Sequence, residues 1–575
     1  MNYIDIINEN KRLGAELSGT DNYPIAVLSN ITVNQIKEIL EYKLRLQGVN
    51  ANIVIGNYDN IVQESHAFNN YKLVVIFWEA INLIDGLQYK CELMSKDEMN
   101  ELIDKVKSEI DYVIDNLKSV PAVIINKFTP MVFNAYNLVV NNLDYICNEL
   151  NEYLKNKDTV NLNIVNIEKI LARISIDRST DLRYYYTSKA LYTINFYKEY
   201  SEFILPIPLS LNGKSKKALI FDCDNTLWKG ILGEDGYDNI VMSSNQNGGI
   251  PYEEVQSLSL SLENKGVLLG LCSKNNERDV NDVFNNHPHT TLRNDDLTIK
   301  MVNWSDKVSN LKTIGERLNI GMDSFVFIDD SDFEIGLVNT HLPMIHTVQV
   351  PKSIYRYPVE VRKAMNMFYS PSLSTEDAKR IEMYKEQLMR DEMKQKYHSV
   401  DEYLKALQMN ITLYRNIDEL IPRISQMTQK TNQFNLTTKR YSENEIKCFI
   451  NDPGVDVLAI SVNDKYGDNG VTGLAIIKYQ NDCAYIDTFL LSCRVIGRNI
   501  EYVLFDEVIK YCINNNIKRI IGEYGKTLKN DQVSDFYDKL NFKILENKDM
   551  YTKYELMMND YKNSNIDYIA VNYGK

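Results

Sequence analysis

Short apolar runs that stop abruptly at polar residues recur along the chain, with longer stretches of helical periodicity between them. The sharpest is Ala218 to Phe221, which gives way to Asp222-Cys223-Asp224-Asn225-Thr226. A short run with no polar face predicts a strand buried on both sides, as in a parallel sheet. The run at 267–271 ends in Cys272-Ser273-Lys274-Asn275, and the run at 324–328 ends in Asp329-Asp330-Ser331-Asp332. Further strands are predicted at 297–302 and 344–350, with helices near 252–265, 276–286 and 306–318. In open α/β sheets, ligands sit beyond the carboxyl ends of the strands. The polar endings are therefore predicted to line one crevice.

Upstream, apolar runs at 25–28, 51–55, 73–78 and 122–125 alternate with amphipathic stretches near 32–46, 95–118 and 133–156. Alternation of this kind implies a parallel sheet covered by helices. Ser29 follows the first strand, where a hydrolase nucleophile would sit. His66, the one histidine of this region, lies in a polar stretch that offers no evident partner, so Ser29 reads as a cap or turn residue. Residues 356–407 are charged and helix-prone, with Ser374 or Thr375 placed to start a helix whose first turn is acidic. Their charge predicts a solvated connector. Beyond it, strands near 458–462, 472–478, 485–491 and 520–523, with helices near 500–513 and 532–540, predict a mixed α/β domain. The expected fold class is α/β with three domains, at 1–212, 213–355 and 408–575, and a helical connector at 356–407.

At 575 residues the chain exceeds what one hydrophobic core holds. A net charge of −14 argues against nucleic acid and against an anionic membrane surface as partners. The eight cysteines are scattered and form no Cys-x-x-Cys pair, which suits a reducing compartment. The N-terminus shows no basic segment followed by an apolar one, and the run at 73–78 is far too short to span a bilayer. A cytoplasmic protein is expected.

Two carboxylates at i and i+2 past a strand end repel each other, so a cation or a shared proton is expected between them. Asp222-Cys-Asp-Asn-Thr226 resembles the Asp-x-Asp-x-Thr motif of the haloacid-dehalogenase superfamily. Ser273, Lys307 and the Asp329-Asp330 pair match its three later motifs in order. The resemblance implies a phosphoryl-transfer site. Asp222 would be the nucleophile, and Asp224 the acid and then the base. Thr226, Ser273 and Lys307 would hold phosphoryl oxygens. Mg2+ would be held among Asp222, Asp224, Asp329 and Asp330, since it favours hard oxygen ligands. The intervals from Thr226 to Ser273 and from Ser273 to Lys307 leave no room for a large cap domain, so 228–236 becomes the nearest candidate for a flap.

The chain more closely resembles the FkbH-like family within that superfamily. The marks are Asp222-Cys-Asp-Asn-Thr-Leu-Trp-Lys-Gly-Ile-Leu-Gly-Glu-Asp-Gly236, Leu271-Cys-Ser-Lys-Asn275, Asp323-Ser-Phe-Val-Phe-Ile-Asp-Asp330, Thr431-Asn-Gln-Phe-Asn-Leu-Thr-Thr438 and Ser492-Cys-Arg-Val-Ile-Gly-Arg498. That resemblance implies a degenerate SGNH-like N-terminal domain, a phosphatase-like centre and an acetyltransferase-like (GNAT) C-terminal domain. It further implies loading of a glyceryl unit from 1,3-bisphosphoglycerate onto an acyl carrier protein. The alternatives are a plain phosphatase on a small phosphorylated metabolite used in glycan or surface-polymer modification, and a non-catalytic scaffold. Cys223, between the two aspartates, is either core filling or a thiol that transiently carries the acyl group; Cys272 is a second such thiol. Alternation along the strand favours core filling. Arg494-Val-Ile-Gly-Arg-Asn499 resembles the pyrophosphate loop of GNAT enzymes, with Asn499 where Gly or Ala is usual. Arg494, Gly497, Arg498, Asn499, Asn530 and Tyr537 would then line a site for coenzyme A or a phosphopantetheine arm.

Overall fold

The computed structural model describes residues 1–574 apart from 158, 160, 371–374, 395 and 528; at 375–380, 391 and 392 it describes the backbone alone. Ser374, one of the two expected helix starts, lies outside the described residues. The chain divides into two compact units: Met1–Asn212 with Tyr441–Glu445, and Gly213–Arg440 with Ile446–Lys575.

In the first unit, β1 (Asn22–Ser29), β2 (Asn50–Ile55), β3 (Leu73–Phe77), β4 (Ala122–Asn126) and β5 (Leu162–Val165) form a parallel sheet in the order β2-β1-β3-β4-β5. This is the flavodoxin-like winding. β3 and β4 are buried along their whole length. The amphipathic stretch expected at 133–156 resolves into a turn and a helix, Asn142–Lys155. Asn141 starts that helix with a capping box to Asp144.

The second unit holds two sheets. β6 (Ala218–Phe221), β7 (Leu268–Ser273), β8 (Ile299–Val302), β9 (Phe325–Asp329) and β10 (His346–Gln349) are all parallel, in the order β10-β9-β6-β7-β8. Every residue of β6, β7 and β9 is buried. Alternation along β6 divides its side chains between two cores. Leu219, Phe221 and Cys223 enter one, with Leu269, Leu271, Val326 and Ile328. Ala218 and Ile220 enter the other, with Phe325, Phe327 and Cys272. The β6–β7 connection carries a short helix, Leu232–Asp235, and a longer one, Ile250–Glu263, with no inserted cap domain.

The other sheet contains β11 (Asn410–Arg415), β12 (Phe434–Asn435), β13 (Val455–Asp464), β14 (Gly467–Gln480), β15 (Cys483–Leu491), β16 (Arg519–Gly525), β17 (Lys543–Lys548), β18 (Tyr551–Met557) and β19 (Ala570–Tyr573). Its main path is β17-β18-β16-β15-β14-β13-β11-β19, and β12 pairs with β15. β15 and β16 run parallel and pair only at Cys483–Tyr485 with Arg519–Ile521. Beyond that they separate, and the loop 492–499 leads into helix Ile500–Asn514.

The segment expected to be a solvated connector is not simply solvated. Helix Thr375–Lys394 carries Arg390, which is fully buried and pairs with Asp464 at 2.9 Å and Glu386 at 3.2 Å. A buried guanidinium needs such partners, because an unpaired charge in the interior is costly.

Candidate active site

The carboxyl ends of β6, β7 and β9 meet in one crevice because the three strands are neighbours and parallel. Asp222 follows β6 directly, and its N–H donates to the Ile328 carbonyl at 2.9 Å, which locks it beside β9. Asp329 closes β9 and Asp330 follows. Ligand oxygens of Asp222, Asp329 and Asp330 all lie within 4.8 Å of one another. Asp222 and Asp329 are buried; Asp330 is half-buried.

Lys307 opens helix Lys307–Leu318, whose cap is Asp306, accepting from the Ser309 N–H at 2.8 Å. The cap sets the helix start, and the start places the ammonium in the crevice. Lys307 Nζ lies 2.9 Å from Asp222 Oδ1 and 2.6 Å from Asp329 Oδ2. Burial disfavours its charge, but Asp222 and Asp329 outweigh burial and hold the ammonium above its ordinary range. Burial, then the Asp222 charge, pushes Asp329 up, against the pull of Lys307. Burial followed by Asp222 likewise raises Asp330. Three close carboxylates and one ammonium leave excess negative charge, which a hard divalent cation would neutralise. The donor set therefore fits Mg2+, which Asp222, Asp329 and Asp330 would hold.

Asp224 is not part of that cluster. Its Oδ1 accepts from Trp228 Nε1 and from the Leu232 N–H, each at 2.9 Å, and its Oδ2 accepts from Asn275 Nδ2 at 2.9 Å. Burial raises this carboxyl; the Leu232 and Trp228 donors oppose it and the Asp222 charge adds to it. The stretch 228–236, the candidate flap, supplies two of these donors. Trp228 is fully buried, and the loop's donors fix the Asp224 carboxylate.

Thr226 is buried, and its hydroxyl has no hydrogen-bond partner. Ser273, the last residue of β7, is buried, with its hydroxyl against Cys223. Cys223 is itself completely buried in the core; burial, then Asp222, pushes its thiol far up. Cys272 is equally buried, and burial raises its thiol well above the ordinary range. A thiol in either setting is not a thiolate near neutral pH.

Three contributors have contacts that the sequence does not show. Asn275 and Trp228 stand inside the motif stretches, but only the fold reveals that both grip Asp224. Tyr357 comes from helix Tyr357–Met365. Its buried hydroxyl lacks a partner, and burial, Tyr252 and the Asp222, Asp330 and Asp329 charges all raise it. No local pattern marks it.

In the C-terminal sheet the loop residues are turned inward. Arg498 pairs with Asp464 at 3.0 Å, bonds Gln387 and donates to the Arg494 carbonyl at 2.7 Å. Arg494 is buried against Met383 and donates to Ser492 Oγ at 3.3 Å. Both Met383 and Gln387 belong to helix Thr375–Lys394. Gly497 adopts φ +78° with open space beside it. Asn499 adopts the left-handed conformation, φ +63°, and its Nδ2 donates to the Tyr568 hydroxyl at 2.7 Å. Asn530 is buried and structural: Nδ2 donates to the Asn435 and Gly525 carbonyls, each at 2.9 Å, while Oδ1 accepts from the Thr527 N–H at 2.8 Å. Tyr537 is buried under Gly522, its hydroxyl unpartnered.

In the first unit, Ser29 is buried in a local turn, where its Oγ accepts from the Ile31 N–H at 3.0 Å, and His66 is exposed. Among the described residues no helix is long and apolar enough to cross a membrane.

No family model matches the chain, and no curated protein does. Among solved structures, the N-terminal part of the protein BF1531 from Bacteroides fragilis, which contains a phosphatase domain and is complexed with Mg, aligns with a TM-score of 0.56 at 25% identity. The alignment covers 64% of this chain and 99% of that one. The ribosomal-protein-S18-alanine N-acetyltransferase from Escherichia coli aligns at 13% identity over 27% of this chain and 98% of its own, with a TM-score of 0.21. The PaiA N-acetyltransferase from Thermoplasma acidophilum, in complex with coenzyme A, aligns at 18% identity over 20% of this chain and 72% of its own, with a TM-score of 0.18. The chain thus has a multi-domain α/β fold that includes a phosphatase-type domain.

Proposed function

We propose that the chain is a Mg2+-dependent phosphoryl hydrolase acting through Asp222. The observation that carries this is the single crevice joining Asp222, Asp329 and Asp330 within 4.8 Å, with Lys307 bridging two of them. The phosphatase-domain structure complexed with Mg supports the same reading. When bound, Mg2+ would neutralise phosphate charge and let an anion approach the carboxylates.

An Asp222 oxygen attacks phosphorus and forms a P–O bond as the bond to the leaving oxygen breaks. Asp224, protonated, gives its proton to that leaving oxygen. Asp224, now ionised, takes a proton from water; the water oxygen attacks phosphorus and frees Asp222 and inorganic phosphate. Lys307 would carry positive charge to the phosphoryl oxygens, and the Thr226 and Ser273 hydroxyls would donate to them. The three donors around Asp224 keep its carboxylate aimed while its protonation changes.

The site has no cap domain, which admits a bulky or carrier-linked substrate. On this reading the substrate is a small acyl phosphate, with the glyceryl unit of 1,3-bisphosphoglycerate as the first choice. Loading requires the acyl carbon to be still activated: the pantetheine thiol of an acyl carrier protein gives up its proton and attacks that carbon, forming the thioester as the acyl-phosphate C–O bond breaks and phosphate leaves, and the Asp222 chemistry removes the remaining phosphate monoester. Cys223 takes part only after a rearrangement that exposes it. The test is Mg2+-dependent phosphate release from acetyl phosphate and 1,3-bisphosphoglycerate, with mass analysis of added carrier protein. A glyceryl mass on the arm supports loading. Free phosphate with unmodified carriers supports the plain hydrolase. No release under any condition rejects the phosphoryl site.

A further inference from the structure

The carboxyl ends of the first sheet hold a buried carboxylate with no counter-charge. In the order β2-β1-β3-β4-β5 the winding reverses between β1 and β3, and in open α/β sheets such a reversal is where ligands enter. Asn30 follows β1 directly, and Glu79 stands two residues past β3. Asn30 Oδ1 accepts from the Glu79 N–H at 2.7 Å, and Asn30 Nδ2 donates to the Glu79 carbonyl at 2.9 Å. That clamp fixes the Glu79 backbone at the reversal, with its side chain buried.

Among the described residues one hydrogen bond reaches the carboxylate, from the Tyr192 hydroxyl to Oε1 at 2.9 Å. The lysines of the neighbouring segments are engaged elsewhere: Lys127 pairs with Glu168 at 3.1 Å and Lys189 with Asp85 at 2.7 Å. Burial raises the Glu79 carboxyl to about 7, opposed by the Tyr192 hydrogen bond and by no cation. Two more polar groups at this end lack partners. Asn126 closes β4, which pairs with β3; its Oδ1 accepts from the Tyr200 hydroxyl at 2.8 Å, while its buried Nδ2 donates to no described group. The Tyr185 hydroxyl is likewise buried and unpartnered. Burial comes first in raising the hydroxyls of Tyr185, Tyr192, Tyr197 and Tyr200, and the Glu79 charge adds to each, so four aromatic rings gather about this carboxylate. Two exposed tyrosines stand outside them: Tyr186, its ring 5.5 Å from that of Tyr185, and Tyr58, whose hydroxyl accepts from Asn82 Nδ2 at 3.1 Å.

Water satisfies buried hydrogen-bonding groups, but it leaves the charge unpaired, and an unpaired buried charge is costly. A divalent metal ion needs several oxygen ligands, which one carboxylate among aromatic rings does not supply. An ammonium group matches both the carboxylate and the negative faces of the rings. The free Asn126 N–H calls for an oxygen on the same ligand. That oxygen is uncharged, since a ligand carboxylate would bring a second anion close to Glu79. We propose that the carboxyl ends of β1, β3 and β4 form a second ligand site, which takes an amino alcohol, free or as an amino sugar, with its ammonium on Glu79 and a hydroxyl oxygen accepting from Asn126 Nδ2.

The probes are ethanolamine and glucosamine, with ethylene glycol as the uncharged control. Each is titrated calorimetrically into the full chain at pH 8 in excess Mg2+, which competes for the carboxylates around Asp222. Expected is saturable binding of at least one amine and none of ethylene glycol. Binding is expected to weaken at least tenfold in Glu79→Gln, to weaken in Asn126→Ala and to stay unchanged in Asp222→Asn. Hydrogen exchange at the β3 and β4 amides checks that the first two variants are folded. Binding of neither amine, equal binding of ethylene glycol, or undiminished binding in folded Glu79→Gln overturns the proposal. Loss of binding in Asp222→Asn would move the event to the phosphoryl site and also overturn it.

Discussion

Lys307 Nζ lies 2.6 Å from Asp329 Oδ2 inside the protein, with the carboxylate side chain fully buried and the lysine nearly so. The contact sets the charge balance of the crevice, because the same ammonium also holds Asp222 at 2.9 Å. Removing it strands two buried carboxylates. Breaking a buried pair from one side costs about 3–5 kcal/mol. Lys307→Ala is expected to lose stability on that scale and to reduce phosphate release by more than a hundredfold. Denaturant unfolding beside a phosphate assay checks both.

Asp330 is the open member of the carboxylate cluster, and it has no ion pair with Lys307 among the described residues. Asp330→Asn is expected to keep the fold and raise the Mg2+ concentration needed for half-maximal activity at least tenfold. EDTA is expected to abolish release by the wild-type protein. A titration of activity against Mg2+ measures both.

Trp228 holds Asp224 through one N–H at 2.9 Å. Trp228→Phe keeps most of the buried ring and deletes the donor. Positioned acid–base catalysis contributes roughly a hundredfold or more, and one of three tethers is lost. A fall in kcat of about tenfold with KM little changed is expected, read from steady-state kinetics.

Glu79 follows β3 in the first unit; burial raises its carboxyl to about 7, against the hydrogen bond from Tyr192 at 2.9 Å. A carboxyl raised in the folded state ionises first in the unfolded chain. The stability it contributes is complete below pH 4, declines as pH rises through 5 and 6, and is gone above about 7. Glu79→Gln is expected to remove this decline and to stabilise the first unit at pH 8 by a few kcal/mol, since each tenfold difference in proton affinity between the folded and unfolded chain is worth about 1.4 kcal/mol. Hydrogen exchange at β3 amides in the full chain, at pH 5 and pH 8, reads it.

The strand ends were legible because continuous apolar runs such as 218–221 and 324–328 have no other stable place than a buried parallel sheet. Their polar endings then fall together by topology alone. The alternation that sends Leu219, Phe221 and Cys223 into one core also follows from spacing. What escaped is long-range. Tyr357 reaches the site from a distant helix, and Asn275 acquires its role only from the proximity of β7 to Asp224. The dense charge of 375–394 suggested solvent, whereas Arg390 is buried against Asp464 on β13. The arginines of the 492–499 loop fit a pyrophosphate motif locally, but Met383 and Gln387 cover them. The edge strand β5 has little buried surface and stands in an Asn-rich stretch, so hydrophobic pattern does not mark it.

Phosphate release by this chain rests above all on attack at phosphorus by an Asp222 carboxylate oxygen. The direct measurement is phosphate release from acetyl phosphate in saturating Mg2+ by the wild-type protein and by folded Asp222→Asn. Release by the wild type and none above background by the variant is the predicted result. Release by the variant at a rate near that of the wild type would contradict it.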